Sequence, residues 1–253
     1  MEKCTLLSKS IDGILKQYRL FAANGYVNRK LLQISSEHIV FDTLQSLNRK
    51  KYAYCVSDNL YREMSALFST QSMMSYTYKT QSQYESLFHL LTYEDMTIDD
   101  FQIYQLDTLQ WLMKRGSIIE GNQRRLRLNR VRVHLLFDLF RNEVLCPQYF
   151  SDELQRELES MVTHGEIEYK DTLFSMPEQK YLNFMLNKSE YCNGPDIRNK
   201  YIHDSISLDE DEHFHDYIEL LKIMVLIIIK INEEFCLRSD RDAQACKREL
   251  QYS

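Results

Sequence analysis

Glycine and proline are scarce, at six and three of 253 residues. An all-β sandwich needs many tight turns and a dinucleotide fold needs a glycine fingerprint, so neither suits this chain. The cysteines never fall in a C-x-x-C pair; Cys4, Cys55, Cys146, Cys192, Cys236 and Cys246 are scattered. Without a secretory leader they read as reduced thiols. The start, Met1-Glu2-Lys3-Cys4, has polar residues through its first turns and no apolar export core, so a cytoplasmic location is expected. Long hydrophobic runs are missing too. The most apolar stretch, Ile223 to Ile229, is closed by Lys222 and Lys230, far short of the ~20 residues that span a bilayer. It predicts a buried helix and no membrane partner.

What is present is a core. The chain is 44% hydrophobic and 12% aromatic, which disfavours disorder. The expected fold class is mainly α. Leu6, Leu7, Ile11, Ile14, Leu15 and Tyr18 follow helical spacing up to a stop at Asn24-Gly25. Ser35-Ser36-Glu37 reads as the start of a helix through Ile39, Val40, Leu44 and Leu47, whereas Phe68 to Tyr84 suits either a loop or a polar helix. Residues 1–98 thus form an N-terminal helical region of unassigned role.

Residues 99–132 differ in character. Ile103, Leu106, Leu109, Leu112 and Met113 make one apolar face that stops at Gly116. Ile118-Ile119, the turn signal Gly121-Asn122 and Leu126-Arg127-Leu128 then read as strand, turn and strand. Helix, stop, strand, turn, strand resembles the last part of a winged helix. The third region, 133–253, predicts helices at 133–143, 151–163 and 177–190, a short one near 196 and a long one over 211–236. Met176-Pro177-Glu178 suits a helix entry.

The net charge is −6, yet Lys114, Arg115, Arg124, Arg125, Arg127, Arg130 and Arg132 face only Glu120 in their segment. This local excess of six positive charges suits a nucleic-acid backbone or, equally, a solvated face paired with acids elsewhere. Acidic Asp209 to Glu212 precede His213 and His215. Two histidines two apart diverge on a helix, and acids are expected at a helix N-terminus from the dipole alone. No metal and no other cofactor is therefore expected.

The segment richest in chemistry is Asn193-Gly194-Pro195-Asp196-Ile197-Arg198-Asn199-Lys200-Tyr201-Ile202-His203-Asp204. Gly194-Pro195 turns the chain and Asp196 suits the N-cap of the helix that follows. Asn199 and His203 share a face, but Arg198 and His203 lie about 140° apart around the axis. Arg198 must reach across, or a second subunit must complete the site. The plain alternative is a helix start with a surface Arg and a structural His.

Arg198-Asn199-x-x-x-His203 resembles the signature of the HEPN superfamily. The surrounding Leu173 to Glu178, Tyr181-Leu182-Asn183 and Asn187 to Glu190 are similar to the C-terminal HEPN region of large bacterial proteins. The resemblance covers residues 133–253 and implies a helical bundle whose dimer cleaves RNA without a metal. Arg198, Asn199 and His203 would be its catalytic residues. It also implies a toxin or anti-phage effector, with an antitoxin or another defence-system subunit as partner. One subgroup, paired with a nucleotidyltransferase antitoxin, has Tyr two positions after the His; Ser205 stands there in this chain. The Ile223–Ile229 helix would then serve the core and part of the dimer interface. Some HEPN proteins only bind, which keeps a winged-helix/HEPN adaptor for nucleic acid or a protein as the competing expectation.

Overall fold

The computed structural model describes residues 1–27, 30, 32, 39–187, 191–202 and 209–251, the side chains of 202 and 240–251 excepted. His203, Asp204, Ser205, the helix start at Ser35-Ser36-Glu37, His38 and Lys188 to Glu190 lie outside the described residues, as does the side chain of Cys246.

The chain is mainly helical. In order, α1 is Glu2–Asn24, β1 Tyr52–Cys55, α2 Asp58–Phe68, α3 Leu87–Tyr93, α4 Ile103–Arg115, β2 Ile118–Glu120 and β3 Leu126–Leu128. Then come α5 Arg130–Asn142, α6 Asp152–Thr163, β4 Ile167–Lys170, α7 Met176–Leu186, α8 Ile197–Ile202 and α9 Glu210–Gln251. Two compact units divide these elements. The terminal unit joins Met1–Lys51 to Lys170–Ser253, and the central unit is Tyr52–Tyr169. These cuts differ from the sequence boundaries at 98/99 and 132/133, and they divide the HEPN-resembling region at 169/170.

In the terminal unit, Ile11, Leu15 and Tyr18 of α1 share a core with Leu182, Ile197, Leu220, Ile223 and Ile227. α1 stops where Gly25 takes a left-handed φ of 77° and its N–H returns to the Phe21 carbonyl. α7 begins with a reciprocal cap between Ser175 and Glu178, with Pro177 in its first turn. A helix over 39–47 does not form. Phe41–Thr43 makes a single 3₁₀ turn, after which the backbone pairs with residues 171–173. Leu173 N–H donates to the Leu44 carbonyl at 2.8 Å and Ser46 N–H to the Asp171 carbonyl at 3.0 Å. Tertiary pairing outweighs the local helical spacing.

The central unit buries Leu60, Leu67, Leu90, Leu109, Leu112, Leu135, Leu136 and Leu158. β2 and β3 are antiparallel, with Ile118 opposite Leu128 and Glu120 opposite Leu126, as the strand–turn–strand reading expects. Gly116 ends α4 with φ 83°. Leu126 N–H also donates to the Met96 carbonyl at 2.8 Å, and Thr97 bridges Arg125, adding a short third edge to the hairpin. The stretch 69–86 holds no helix. Its hydroxyls bond locally, with Thr77 and Thr80 oxygens 2.9 Å apart, and the Gln105 side chain donates to the Met73 and Tyr76 carbonyls. Side-chain competition for backbone partners favours turns over helix here. The pair β1 and β4 is absent from the sequence reading, because four-residue strands carry too little periodicity to stand out.

One buried carboxylate ties the two halves of the terminal unit. Glu234 on α9 is fully buried and accepts from Leu47 N–H at 2.6 Å and from the Ser46 hydroxyl at 2.8 Å. It also pairs with buried Lys51, whose ammonium donates to the Leu173 carbonyl at 2.8 Å. Removing one partner of such a pair strands the other in a low-dielectric interior. Lys51→Met is expected to lower stability by about 3–5 kcal/mol in urea unfolding followed by far-UV circular dichroism; an unchanged midpoint would contradict this role.

Candidate functional site

The turn before α8 depends on glycine. A Cβ on Gly194 would lie 2.2 Å from the Phe184 carbonyl oxygen, so only glycine lets the chain pass α7 so closely. Asp196 then adopts a φ of 54°, and its Oδ1 accepts from Asn199 Nδ2 at 2.6 Å.

Arg198 turns toward α1. Its Nε and Nη2 donate to the two carboxylate oxygens of Asp12 at 2.9 and 2.7 Å, a fork-to-fork pair, and its Nη1 donates to Asn199 Oδ1 at 3.3 Å. Arg198 and Asn199 are thus linked side chain to side chain. His203 lies outside the described residues. Asp12 escapes sequence reasoning although a signal exists. It is an acid between Ile11 and Ile14 in the apolar stretch of α1, but its partner is 186 positions away.

The next two residues anchor α8 to α9. Lys200 Nζ lies 2.6 Å from Asp216 Oδ2 and also pairs with Glu212. Burial works against the charged ammonium, yet the bonds to Asp216 and Glu212 outweigh it and hold the Lys200 pKa above its ordinary value. Tyr201 is buried, and its hydroxyl donates to Asp216 Oδ2 at 2.8 Å. Burial first, then the Asp216 carboxylate, push the Tyr201 pKa well up, so the phenol keeps its proton. Its oxygen is left to accept from His213, whose Nδ1 is 2.7 Å away. This chain of bonds places a proton on His213 Nδ1. A cavity of about 540 Å³ beside it is lined by Lys3, Cys4, His213, Phe214 and Tyr217. Among the described residues no group of three or more His, Cys, Asp or Glu side chains is arranged to hold a metal ion. No described helix is long and apolar enough to cross a membrane.

The seven basic residues of the central unit separate into two groups. Arg132 is buried and Arg115 mostly so, and both turn inward to acids. Arg132 donates to Glu63 at 2.9 and 3.0 Å, to Glu157 at 3.1 Å and to Glu166 at 3.2 Å; Arg115 lies 2.6 Å from both Glu63 and Glu166. These two do not belong to a nucleic-acid surface, because leaving the network would strand the fully buried Glu63. Lys114, Arg124, Arg127 and Arg130 are exposed and Arg125 half-buried. Asp95 pairs with Arg125 at 2.5 Å, while Glu120 and Asp99 lie 3.5 and 3.9 Å from Arg124. The local positive excess is therefore smaller than the segment's composition implies. A cleft of about 860 Å³ opens beside the hairpin, lined in part by Phe88, Arg127, Arg130, His134 and Phe137.

No protein-family model matches the chain, and no curated protein or solved structure matches it.

The inward cations make the central unit acid-sensitive. Burial alone would raise the Glu63 pKa, but hydrogen bonds from Arg132, Ser117 and Arg115 outweigh it and hold it below the ordinary carboxylate value. A depressed folded-state pKa gives stability that is complete above the unfolded value of about 4.3 and lost as pH falls through the folded one. Trp111, the single tryptophan, lies in this unit, with the Arg62 guanidinium 4.8 Å from its ring centre. Unfolding followed by Trp111 fluorescence should hold a constant urea midpoint from neutral pH to about 5 and fall below about 4. Glu63→Gln should start lower and fall less steeply; parallel curves would contradict the assignment.

Proposed function

We propose that this chain is a metal-independent endoribonuclease of the HEPN type, acting as a toxin or anti-phage effector through Arg198, Asn199 and His203 in a homodimer. The observation that supports it most is the coupled Arg198–Asn199 pair, held on α8 by Asp12 and Asp196. A guanidinium fixed on two edges is oriented before any phosphate arrives, and a preorganised cation favours charge that develops on phosphoryl oxygens. Asp12 is a positioning residue in this scheme.

In the proposed reaction the ribose 2′-oxygen attacks the adjacent phosphorus and the P–O5′ bond breaks. One imidazole takes the 2′-hydroxyl proton while another gives a proton to the departing 5′-oxygen. His203 supplies one and its equivalent in a second copy the other. The products are a 2′,3′-cyclic phosphate and a 5′-hydroxyl, and DNA resists because it lacks the attacking group.

A second reading is favoured by the exposed Lys114, Arg124, Arg127 and Arg130 around a hairpin that carries a third edge at Met96-Thr97. In that reading the protein is a winged-helix/HEPN adaptor that holds nucleic acid or a protein partner without cutting. The two readings separate in one comparison. With EDTA present, the wild type should cleave structured or tRNA-like RNA, and His203→Ala should lose at least ~100-fold in rate. Absent cleavage by both across a broad RNA panel would overturn the ribonuclease. If Arg124→Glu/Arg127→Glu then abolishes RNA retention in gel shifts while His203→Ala retains it, the adaptor stands.

A further inference from the structure

The long helix α9 has two apolar faces. Leu220, Ile223, Met224 and Ile227 are buried in the terminal unit's own core, and fully buried Glu234 continues that face. On the other side Phe214, Leu221, Val225, Ile228, Ile229 and Phe235 are exposed by 39% to 67%. Half-buried Ile218 and exposed Asn232 lie on the same side. Phe214, Ile218, Leu221, Val225, Ile228, Asn232 and Phe235 recur at alternating spacings of four and three, a heptad seam. Ile218, Val225 and Asn232 take its a positions, and Phe214, Leu221, Ile228 and Phe235 its d positions.

We infer that this face is the seam of a parallel two-stranded coiled coil between α9 helices of two copies of this chain. Three features specify a second copy. First, β-branched residues at a with Leu at d favour two parallel strands; Ile218, Val225 and Leu221 follow that rule, while Phe214, Ile228 and Phe235 fill the other d positions. Second, Asn232 is a polar residue at an a position in an otherwise apolar seam. Such an asparagine is satisfied by its own equivalent across a two-fold axis and fixes the register. Third, the area suffices. At on the order of 200 Å² for a large apolar side chain, the six exposed residues present roughly 600 Å² per copy. Complete coverage of these six residues in both copies would bury roughly 1,200 Å², the lower bound of a stable specific interface. The seam carries no charge at its a or d positions, so no like charges meet across the axis. Phe235 also packs on Phe21 of α1, with ring centres 5.3 Å apart, which fixes one end of the seam to the bundle.

The geometry bears on the candidate site. α8 precedes α9 in the chain, so a parallel seam brings the α8 segments of both copies, with Arg198 and Asn199, to the same end of the dimer. The inference rests on the dimer half of the proposed function and not on RNA cleavage, which is read separately.

Sedimentation of the full chain should give twice its 30.4 kDa mass. Val225→Glu/Ile228→Glu should give the single mass with unchanged far-UV dichroism. Asn232→Cys in a Cys192→Ser/Cys236→Ser/Cys246→Ser background should form an interchain disulfide on mild oxidation, and the same background with Asn232 intact should not. A monomeric wild type overturns the inference, as does a dimer indifferent to the glutamates. Failure of Asn232→Cys to cross-link within a dimer overturns the parallel register. A cross-linked dimer that leaves RNA intact would count against the ribonuclease while sustaining the seam; cleavage by a monomer would overturn both the seam and the two-copy site.

Discussion

A carboxylate with no exposed surface sits where residues 46–51 meet α9. Glu234 accepts hydrogen bonds from Ser46, Leu47 and Asn48 and pairs with Lys51, contacts that span more than 180 positions of sequence. A charged group there is costly to bury and is stabilised by the partners that face it. The terminal unit is discontinuous, interrupted by residues 52–169, and apolar packing alone is non-directional. The Glu234 cluster supplies direction, because its hydrogen bonds to Ser46, Leu47 and Asn48 hold residues 46–51 in one register.

That register has consequences for the candidate site. With the N-terminal segment fixed on α9, α1 lies in the same core as α7 and α8, and Asp12 meets Arg198. The bonds from Lys200 and Tyr201 to Asp216 then hold the second half of α8 on α9. A helix of six residues is too short to be stable alone. It exists here because Asp12, Asp196, Glu212 and Asp216 satisfy its polar side chains while Ile197 and Tyr201 enter the core. The same residues that keep α8 folded orient its guanidinium.

Much of the local structure was legible in the sequence. Gly25 and Gly116 end helices where they were expected to, α7 enters at Met176-Pro177-Glu178, and Gly121-Asn122 lies between two strands. These signals act within a turn or two, so one stretch of sequence carries them. The long-range pairs were not legible. Nothing near Arg198 points to Asp12, and nothing near Arg115 or Arg132 separates them from Arg124 and Arg127, since all four look like one basic run. Burial decides between them, and burial depends on α2 bringing Glu63 beneath the run. The helix expected over 39–47 fails for the same reason, its backbone being claimed by residues 171–173. In α9 the sequence showed an apolar run, and the structure divided it into a face that packs inward and a heptad stripe that is mostly exposed.

The central claim is that Arg198, Asn199 and His203 promote attack by a ribose 2′-oxygen, and the chemistry of the cut ends tests it most directly. Mass spectrometry of fragments from a defined RNA treated with the purified protein in EDTA should find 2′,3′-cyclic phosphate and 5′-hydroxyl ends, with no cut beside a 2′-O-methyl ribose. Ends bearing 5′-phosphate and 3′-hydroxyl, or cleavage that survives 2′-O-methylation, would contradict the account.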